Sequence, residues 1–460
     1  MKRMLIVLTL GLLAGCQNLL LVGPKSWSSC DTPELKNHEC KKIDVPGNLG
    51  GDLTLVRHDA QKTGIPKKIM VFFDGTSNGP LSQEKVTNIW RLYEEIVQDN
   101  EAASLYVEGV GSNFAKKTFP LHEIPREAFG AGMTSRINVA YQFLAENYKP
   151  GDKIYLFGFS RGAIQARALA GFLAYAGLPK TGIDIKQAGD IFDKVRTAKD
   201  AKNAKDDDLP TKEKWIKWSP NDEPLVTPPE NPGKRFEMQA VEVEFLGVWD
   251  TVLGISDKGG KLEAEFKEDG YKMGSYPPIR HIAQALSLDE KREKFAQINM
   301  YAPFQPDRPK VIEVGFPGAH ADVGGGYGGA DDGCSDPALC TALPNISFNW
   351  MVRQLADSGY AFAHQITSRP EDPKGLAHWS MGYSKASLGS LCIDRQATLP
   401  ANLVLDPSVG VREESGKVPI LVLGPSCKQA DMKRHDMKYP VSCADLDKQY
   451  CEQGLLPQVK

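Results

Sequence analysis

The chain has 460 residues, 41% of them hydrophobic, with 55 basic and 58 acidic side chains and a formal net charge of −3. That length holds one large domain with insertions or two domains, and the apolar content suffices for a sizeable core. The near-neutral balance, with no basic patch interleaved with aromatics, argues against a nucleic-acid partner.

At the start of the chain, Lys2 and Arg3 precede the apolar run Met4 to Leu13, which reads as an export signal too short to span a bilayer permanently. Leu13-Ala14-Gly15-Cys16 resembles the lipobox of bacterial lipoproteins, whose cysteine is lipidated and becomes the new N-terminus. An ordinary secretory signal with a chance cysteine is the alternative. Gln17 stands where that resemblance associates Asp with inner-membrane retention, so the expected location is the outer membrane, facing the periplasm. Residues 1–15 are thus the expected signal. Residues 16–66 are read as an irregular lipidated tether that packs on the body, with Gly47, Gly50 and Gly51.

The chain carries nine cysteines, and setting Cys16 aside leaves an even number. An oxidising compartment would let these pair, and neighbours such as Cys30 with Cys40 or Cys334 with Cys340 are plausible partners, although spacing does not prove connectivity. No C-x-x-C pair suggests a metal, and no cofactor is expected.

From Lys67 onward, apolar runs alternate with helical patterns, which implies βαβ units and a mostly parallel sheet flanked by helices. Ile69 to Phe73 runs into Asp74-Gly75-Thr76, and Asn88 to Val97 reads as an amphipathic helix with Ile89, Leu92, Tyr93 and Ile96 on one face. Leu105-Tyr106-Val107 is a short strand, Ile137 to Tyr148 a helix, and Lys149-Pro150-Gly151-Asp152 a turn into the strand Ile154 to Phe157. That strand meets Gly158-Phe159-Ser160-Arg161-Gly162, followed by the alanine-rich helix Ala163 to Ala176.

Residues 185–237 are charged and proline-rich, an insertion read either as a cap or as a solvated loop. Val241 to Trp249 is a strand ending on Asp250. His281, with Ala283, Leu286 and Leu288, is placed on a helical stretch. Val311 to Phe316 is a strand leading to the glycine-rich loop around His320.

Gly-x-Ser-x-Gly between a strand and a helix is the nucleophile-elbow pattern of α/β-hydrolases, in which Ser160 occupies a strained turn and the glycines relieve crowding. A serine hydroxyl needs an imidazole base oriented by a carboxylate. His320 is the candidate base, Asp250 the orienting acid and Asp322 the runner-up acid, which otherwise pins the histidine loop. Parallel sheets gather reactive residues at the carboxyl ends of their strands, and Ser160, Asp250 and His320 follow the expected chain order.

The oxyanion is expected to bind the backbone amide of Arg161 and that of Gly75 or Thr76. A carboxylate at Asp74 would oppose it unless engaged elsewhere, for example by Thr76, Asn78 or Arg161. Asp74 is therefore read as a loop brace.

Four stretches resemble an uncharacterised α/β-hydrolase domain family that includes the phospholipase effectors of bacterial type VI secretion. They are Phe73-Asp74-Gly75-Thr76-x-Asn78, Gly158-Phe159-Ser160-Arg161-Gly162-Ala163, Gly247-Val248-Trp249-Asp250-Thr251-Val252 and His320-Ala321-Asp322-Val323-Gly324-Gly325-Gly326-Tyr327. Arg280-His281 with Leu288 to Arg292 is similar to that family's helix after the acid strand, and Trp350-Met351-Val352 to the helix closing its domain. The resemblance spans residues 67–365 and implies a Ser160–Asp250–His320 triad, carboxylic ester hydrolysis and a phospholipid substrate.

Residues 366–460 form a cysteine-bearing extension without a recognisable counterpart. The expected fold is therefore α/β-hydrolase-like with a cap-like insertion and a C-terminal extension. The expected activity is a lipid-ester hydrolase of phospholipase A type, attached to a membrane through Cys16, with no particular protein partner indicated. The competing readings are a non-catalytic envelope scaffold and a secreted antibacterial lipase.

Overall fold

A computed structural model describes residues 28–30, 35, 38–44, 53–62, 66–80, 86–111, 126–197, 237–252, 271, 273–275, 278–300, 310–327, 340–380, 395, 399–400, 402–423 and 432–442. The signal, Cys16 and the charged part of the expected insertion lie outside them, as do Cys334, Cys392, Cys427, Cys443 and Cys451.

The body is built on one sheet of ten strands: β1 (Ser28–Ser29), β2 (Glu39–Ile43), β3 (Leu53–His58), β4 (Lys68–Phe73), β5 (Ala102–Val107), β6 (Lys153–Phe159), β9 (Val243–Trp249), β10 (Ile279–Ser287), β11 (Lys310–Phe316) and β13 (Val404–Leu405). Their spatial order is β1-β2-β3-β5-β4-β6-β9-β10-β11-β13. The first three pair antiparallel, and β3 is antiparallel to β5. From β5 across to β13 every pairing is parallel. A strand pair, β7 (Leu178–Pro179) with β8 (Met238–Gln239), and a small sheet of β12 (Ala377–His378), β14 (Val418–Leu423) and β15 (Met432–Met437) complete the β structure.

Both faces of the parallel sheet are covered, which is why its strands read as continuous apolar runs. Strand alternation sorts β4: Ile69, Val71 and Phe73 face one core, and Met70 and Phe72 the other. On the first face lie helices α2 (Arg126–Asn147), α3 (Arg161–Ala176) and α4 (Ile185–Thr197), contributing Ile137, Leu144, Leu169, Leu173, Ile191 and Phe192. On the second lie α1 (Asn88–Ile96) and α6 (Ala342–Asp357), with Ile89, Leu92, Phe348 and Met351. Burying each such side chain stabilises the fold by about 1.5–3 kcal/mol. The short helices α5 (His320–Gly324) and α7 (Pro407–Glu414) complete the set. Among the described residues no helix is long and apolar enough to cross a membrane.

Three expectations are corrected. The stretch around His281 is strand β10, not a helix. It is buried almost throughout and paired on both sides, so it has no solvent face to give its sequence a readable period. Residues 16–66 are not merely irregular, because 28–29, 39–43 and 53–58 extend the main sheet, and a disulfide joins Cys30 to Cys40 with Cα atoms 4.9 Å apart. Cys340 is also disulfide-bonded. The stretch read as an insertion starts with α4, whose Ile191 and Phe192 belong to the core.

The region after 365 packs onto the body as well. Ala377, Val409, Val418, Ile420 and Tyr439 share a core with the sheet, and β13 forms its far edge.

Candidate active site

Ser160 follows β6 and caps the N-terminus of α3, with φ 59° and ψ −122°. That backbone conformation strains any L-residue and is characteristic of functional turns. It persists because the chain on both sides is tightly held. A Cβ on Gly158 would lie 2.4 Å from Gly162 O, and one on Gly162 would lie 2.3 Å from Phe73 O. Only hydrogen at these two positions lets α3 enter so close to β6 and β4. The Ser160 amide donates to Trp249 O at 3.0 Å, tying the turn to the neighbouring strand β9.

Asp250 ends β9, likewise at positive φ, 41°. Its amide donates to Ala285 O at 2.7 Å. The carboxylate is wholly buried, and its two oxygens are used differently. Oδ2 faces His320 Nδ1 at 2.6 Å, whereas Oδ1 accepts from the Ser287 amide at 3.0 Å and from Arg395 at 2.7 Å. Burial alone would raise this carboxyl. Arg395, His320 and the Ser287 amide outweigh burial and hold it below the ordinary aspartate range.

His320 opens α5, a short helix where the sequence suggested only a loop. Its ring packs against Phe159, at 4.6 Å between centroids, and the edge-on Phe295, at 5.1 Å. A Cβ on Gly324 would sit 2.0 Å from the Phe159 ring, so this glycine lets α5 rest on the residue preceding the serine. Burial lowers the His320 basicity, the Asp250 contact opposes that, and Arg292 reinforces it, leaving the imidazole below its ordinary value. With Nδ1–H donated to Asp250, Nε2 is the acceptor nitrogen. Asp250 and His320 are thus brought together, and Ser160 sits one strand away, beside the aromatic ring on which His320 rests. Among the described residues no hydrogen bond links the Ser160 hydroxyl to that ring, a contact often long until substrate is bound.

Asp322 pairs with a different histidine. Its Oδ1 meets His378 Nδ1 at 2.6 Å, and Oδ2 accepts from the amides of Ala319 and His378 at 2.9 Å each. It pins the His320 helix to β12 and does not orient His320.

Asp74 is engaged by partners other than those expected. Oδ1 accepts from the Gly75 amide at 2.7 Å, and Oδ2 accepts from Thr87 at 2.9 Å and Tyr106 at 2.5 Å. Burial raises its carboxyl to about 6, against the pull of those three bonds. The Gly75 amide is therefore committed to Asp74, which leaves Thr76 as the donor candidate of that loop. Arg161 is the first residue of α3, so its amide lies at the positive end of the helix.

Two groups around the histidine escaped sequence reasoning. Glu290 accepts from Arg292 Nε and Nη2 at 2.8 Å each, from Ser380 at 2.8 Å and from the His320 amide at 3.3 Å. The Arg292 guanidinium lies 3.5 Å from the Phe295 ring centroid. Arg395, from the unmatched C-terminal stretch, reaches Asp250. A glutamate and arginine two residues apart at the end of a strand were the available signal for the first; for Arg395 there was none. Among the described residues, no cluster of His, Cys, Asp or Glu is arranged to hold a metal ion.

Residues 67–354 match the family described as T6SS, phospholipase effector Tle1-like, catalytic domain. The chain is 28% identical over 283 residues to the uncharacterized protein YEL023C of Saccharomyces cerevisiae, covering 58% of this chain and 37% of that protein. Among solved structures it is similar to an uncharacterized protein from Pseudomonas aeruginosa (17% identity, 64% of this chain and 46% of that one, TM-score 0.32). It is also similar to the Tle1 effector bound to the VgrG spike (20%, 57% and 51%, 0.27) and to Thermogutta terrifontis esterase 2 (15%, 71% and 97%, 0.36). The chain spans less than half the length of the yeast relative and of the Pseudomonas protein.

Proposed function

Because the chain belongs to the family of Tle1-like phospholipase effector catalytic domains of type VI secretion, we propose that it is a serine-dependent carboxylic ester hydrolase acting on lipid esters, as a phospholipase A does. The observation that carries this reading is a serine at φ 59° between a parallel strand and a helix, one strand from a buried aspartate–histidine pair joined at 2.6 Å.

In this mechanism Ser160 Oγ attacks the ester carbonyl while His320 Nε2 takes its proton. The imidazolium then passes that proton to the departing alcohol, and Asp250 stabilises the charged ring throughout. Water, deprotonated by the same nitrogen, attacks the acyl-enzyme; fatty acid leaves and Ser160 regains its proton. The tetrahedral oxyanion is received by the amides of Arg161 and Thr76, and losing one such donor costs about 3 kcal/mol of transition-state stabilisation. Phe159 and Phe295, packed on the base, keep water from its buried side.

We place this hydrolase at a membrane, anchored through a lipidated Cys16 and facing the periplasm. Tethering there would raise the local concentration of lipid ester, which favours phospholipid over small soluble esters.

Purified protein and Ser160→Ala, incubated with a panel of phospholipids and short-chain esters, test the reading by product mass. Wild type is expected to release fatty acid and the variant none; an inert wild-type serine, unlabelled by a fluorophosphonate in folded protein, would favour the scaffold reading instead. Labelled palmitate fed to the expressing bacterium should mark the wild type but not Cys16→Ser, and an unmarked wild type removes the anchor.

A further inference from the structure

We propose that Arg395, which lies beyond the family-matching residues, is a positioning residue for the hydrolysis, clamping the Asp250 carboxylate in the orientation that faces His320. This inference rests on the triad reading above and extends the working site into the C-terminal region.

Arg395 is wholly buried. Its Nη1 donates to Asp250 Oδ1 at 2.7 Å and to Ser287 O at 2.8 Å, Nη2 to Phe295 O at 2.9 Å, and Nε to Gln297 Oε1 at 3.0 Å. A guanidinium is planar and permanently charged, so bonds from all three nitrogens fix both its plane and its place. Burying such a charge costs several kcal/mol unless a counter-ion is in contact. Among the described residues Asp250 is the carboxylate paired with it; Glu290 is bonded to Arg292, and Asp322 to His378.

The clamp distinguishes the two carboxylate oxygens. Arg395 and the Ser287 amide hold Oδ1, which leaves Oδ2 directed at His320 Nδ1. Without the guanidinium, Oδ1 keeps only the Ser287 amide among these contacts, and rotation about the Cβ–Cγ bond is far less restrained.

Charge acts alongside geometry. Among the described residues, the charged groups facing the Asp250–His320 pair are cationic Arg395 and Arg292 and anionic Glu290, itself paired with Arg292. Removing the Arg395 charge makes it easier for the pair to take up a proton, so the base is lost at a higher pH.

The test uses the full chain with Arg395→Gln and Arg395→Lys. Hydrolysis of p-nitrophenyl butyrate is followed across the acidic and neutral range, and the His320 imidazole is titrated by NMR. The glutamine variant should lose kcat roughly ten-fold, with KM little changed and the acid-side midpoint about one pH unit higher. The lysine variant keeps the charge but not the fork, so its midpoint should stay near wild type while kcat recovers only in part. A wild-type midpoint and kcat in Arg395→Gln, or equal losses in both variants with no shift, would overturn the proposal.

Should Arg395→Gln fail to fold, the lysine variant decides, and wild-type kcat there defeats the clamp. If wild type hydrolyses no ester, the triad reading fails by itself. The imidazole titration still tests the clamp, which an unmoved His320 midpoint in a folded Arg395→Gln would overturn.

Discussion

Ser160 and Asp250 hold backbone conformations that cost about 1–3 kcal/mol each. Each is locked by a hydrogen bond donated by its own backbone amide to the neighbouring strand, to Trp249 O and to Ala285 O respectively. Strain of this kind at two strand ends, beside a buried His–Asp pair, accompanies preorganised chemistry.

The lowered basicity of His320 sets a sign for the pH profile. A general base works when neutral, so kcat/KM on p-nitrophenyl butyrate should be flat at neutral pH and fall on acidification, with a midpoint below the ordinary 6.5 of histidine. A midpoint above 6.5 would mean that burial does not govern this ring. Linkage has a matching sign: the unfolded chain protonates this histidine more readily, so its burial also removes stability as pH falls below 6.5. The residue types at positions 160, 250 and 320 were legible because each follows a recognisable strand, directly for Ser160 and Asp250 and after a short turn for His320. The partners of Asp74 were not, since Thr87 and Tyr106 are set by helix α1 and strand β5 and carry no motif.

At the scale of elements, glycine shows how local chemistry and packing diverge. Gly162 stands where a methyl group would meet the backbone carbonyls of Phe73 and Asp74, at the end of β4, whereas Gly410, inside α7, has nothing within 4 Å. Gly162→Ala should therefore destabilise the protein by about 1–3 kcal/mol, while Gly410→Ala should stabilise it by about 0.5–1 kcal/mol. Urea midpoints of the two variants check this, and a neutral Gly162→Ala would show that α3 can retreat from the sheet. Element type was readable where apolar residues recur at helical spacing, as in α1 with Ile89, Leu92, Tyr93 and Ile96. It was misread at β10, where parallel partners on both sides leave the strand without a polar face.

At the scale of the whole molecule, the C-terminal region is structurally inseparable from the body. It supplies the edge strand β13, the small sheet whose Ile420 and Val418 enter the common core, and the arginine on Asp250. Ending the chain at residue 365 should give protein that is insoluble or lacks a near-ultraviolet circular dichroism signal, because it uncovers that core and leaves Asp250 without its counter-ion. A soluble, cooperatively melting fragment with wild-type esterase activity would show that the region is dispensable. The sequence presented this stretch as an appendage because its contacts with the body are long-range and follow no period: His378 is 56 residues from Asp322, Arg395 145 from Asp250 and Tyr439 150 from Asp289.

By itself the amino-acid order determined most of the alternation of strand and helix, β10 excepted, the parallel core and the placement of serine, aspartate and histidine after strands, since those follow from hydrophobic period and turn chemistry within a few neighbours. Tertiary structure alone decided which carboxylate meets which histidine, which groups engage the oxygens of Asp74, and that an arginine from the C-terminal region reaches Asp250. Such pairings come from long-range burial, where an unpaired charge is too costly to leave, and no local rule encodes the partner.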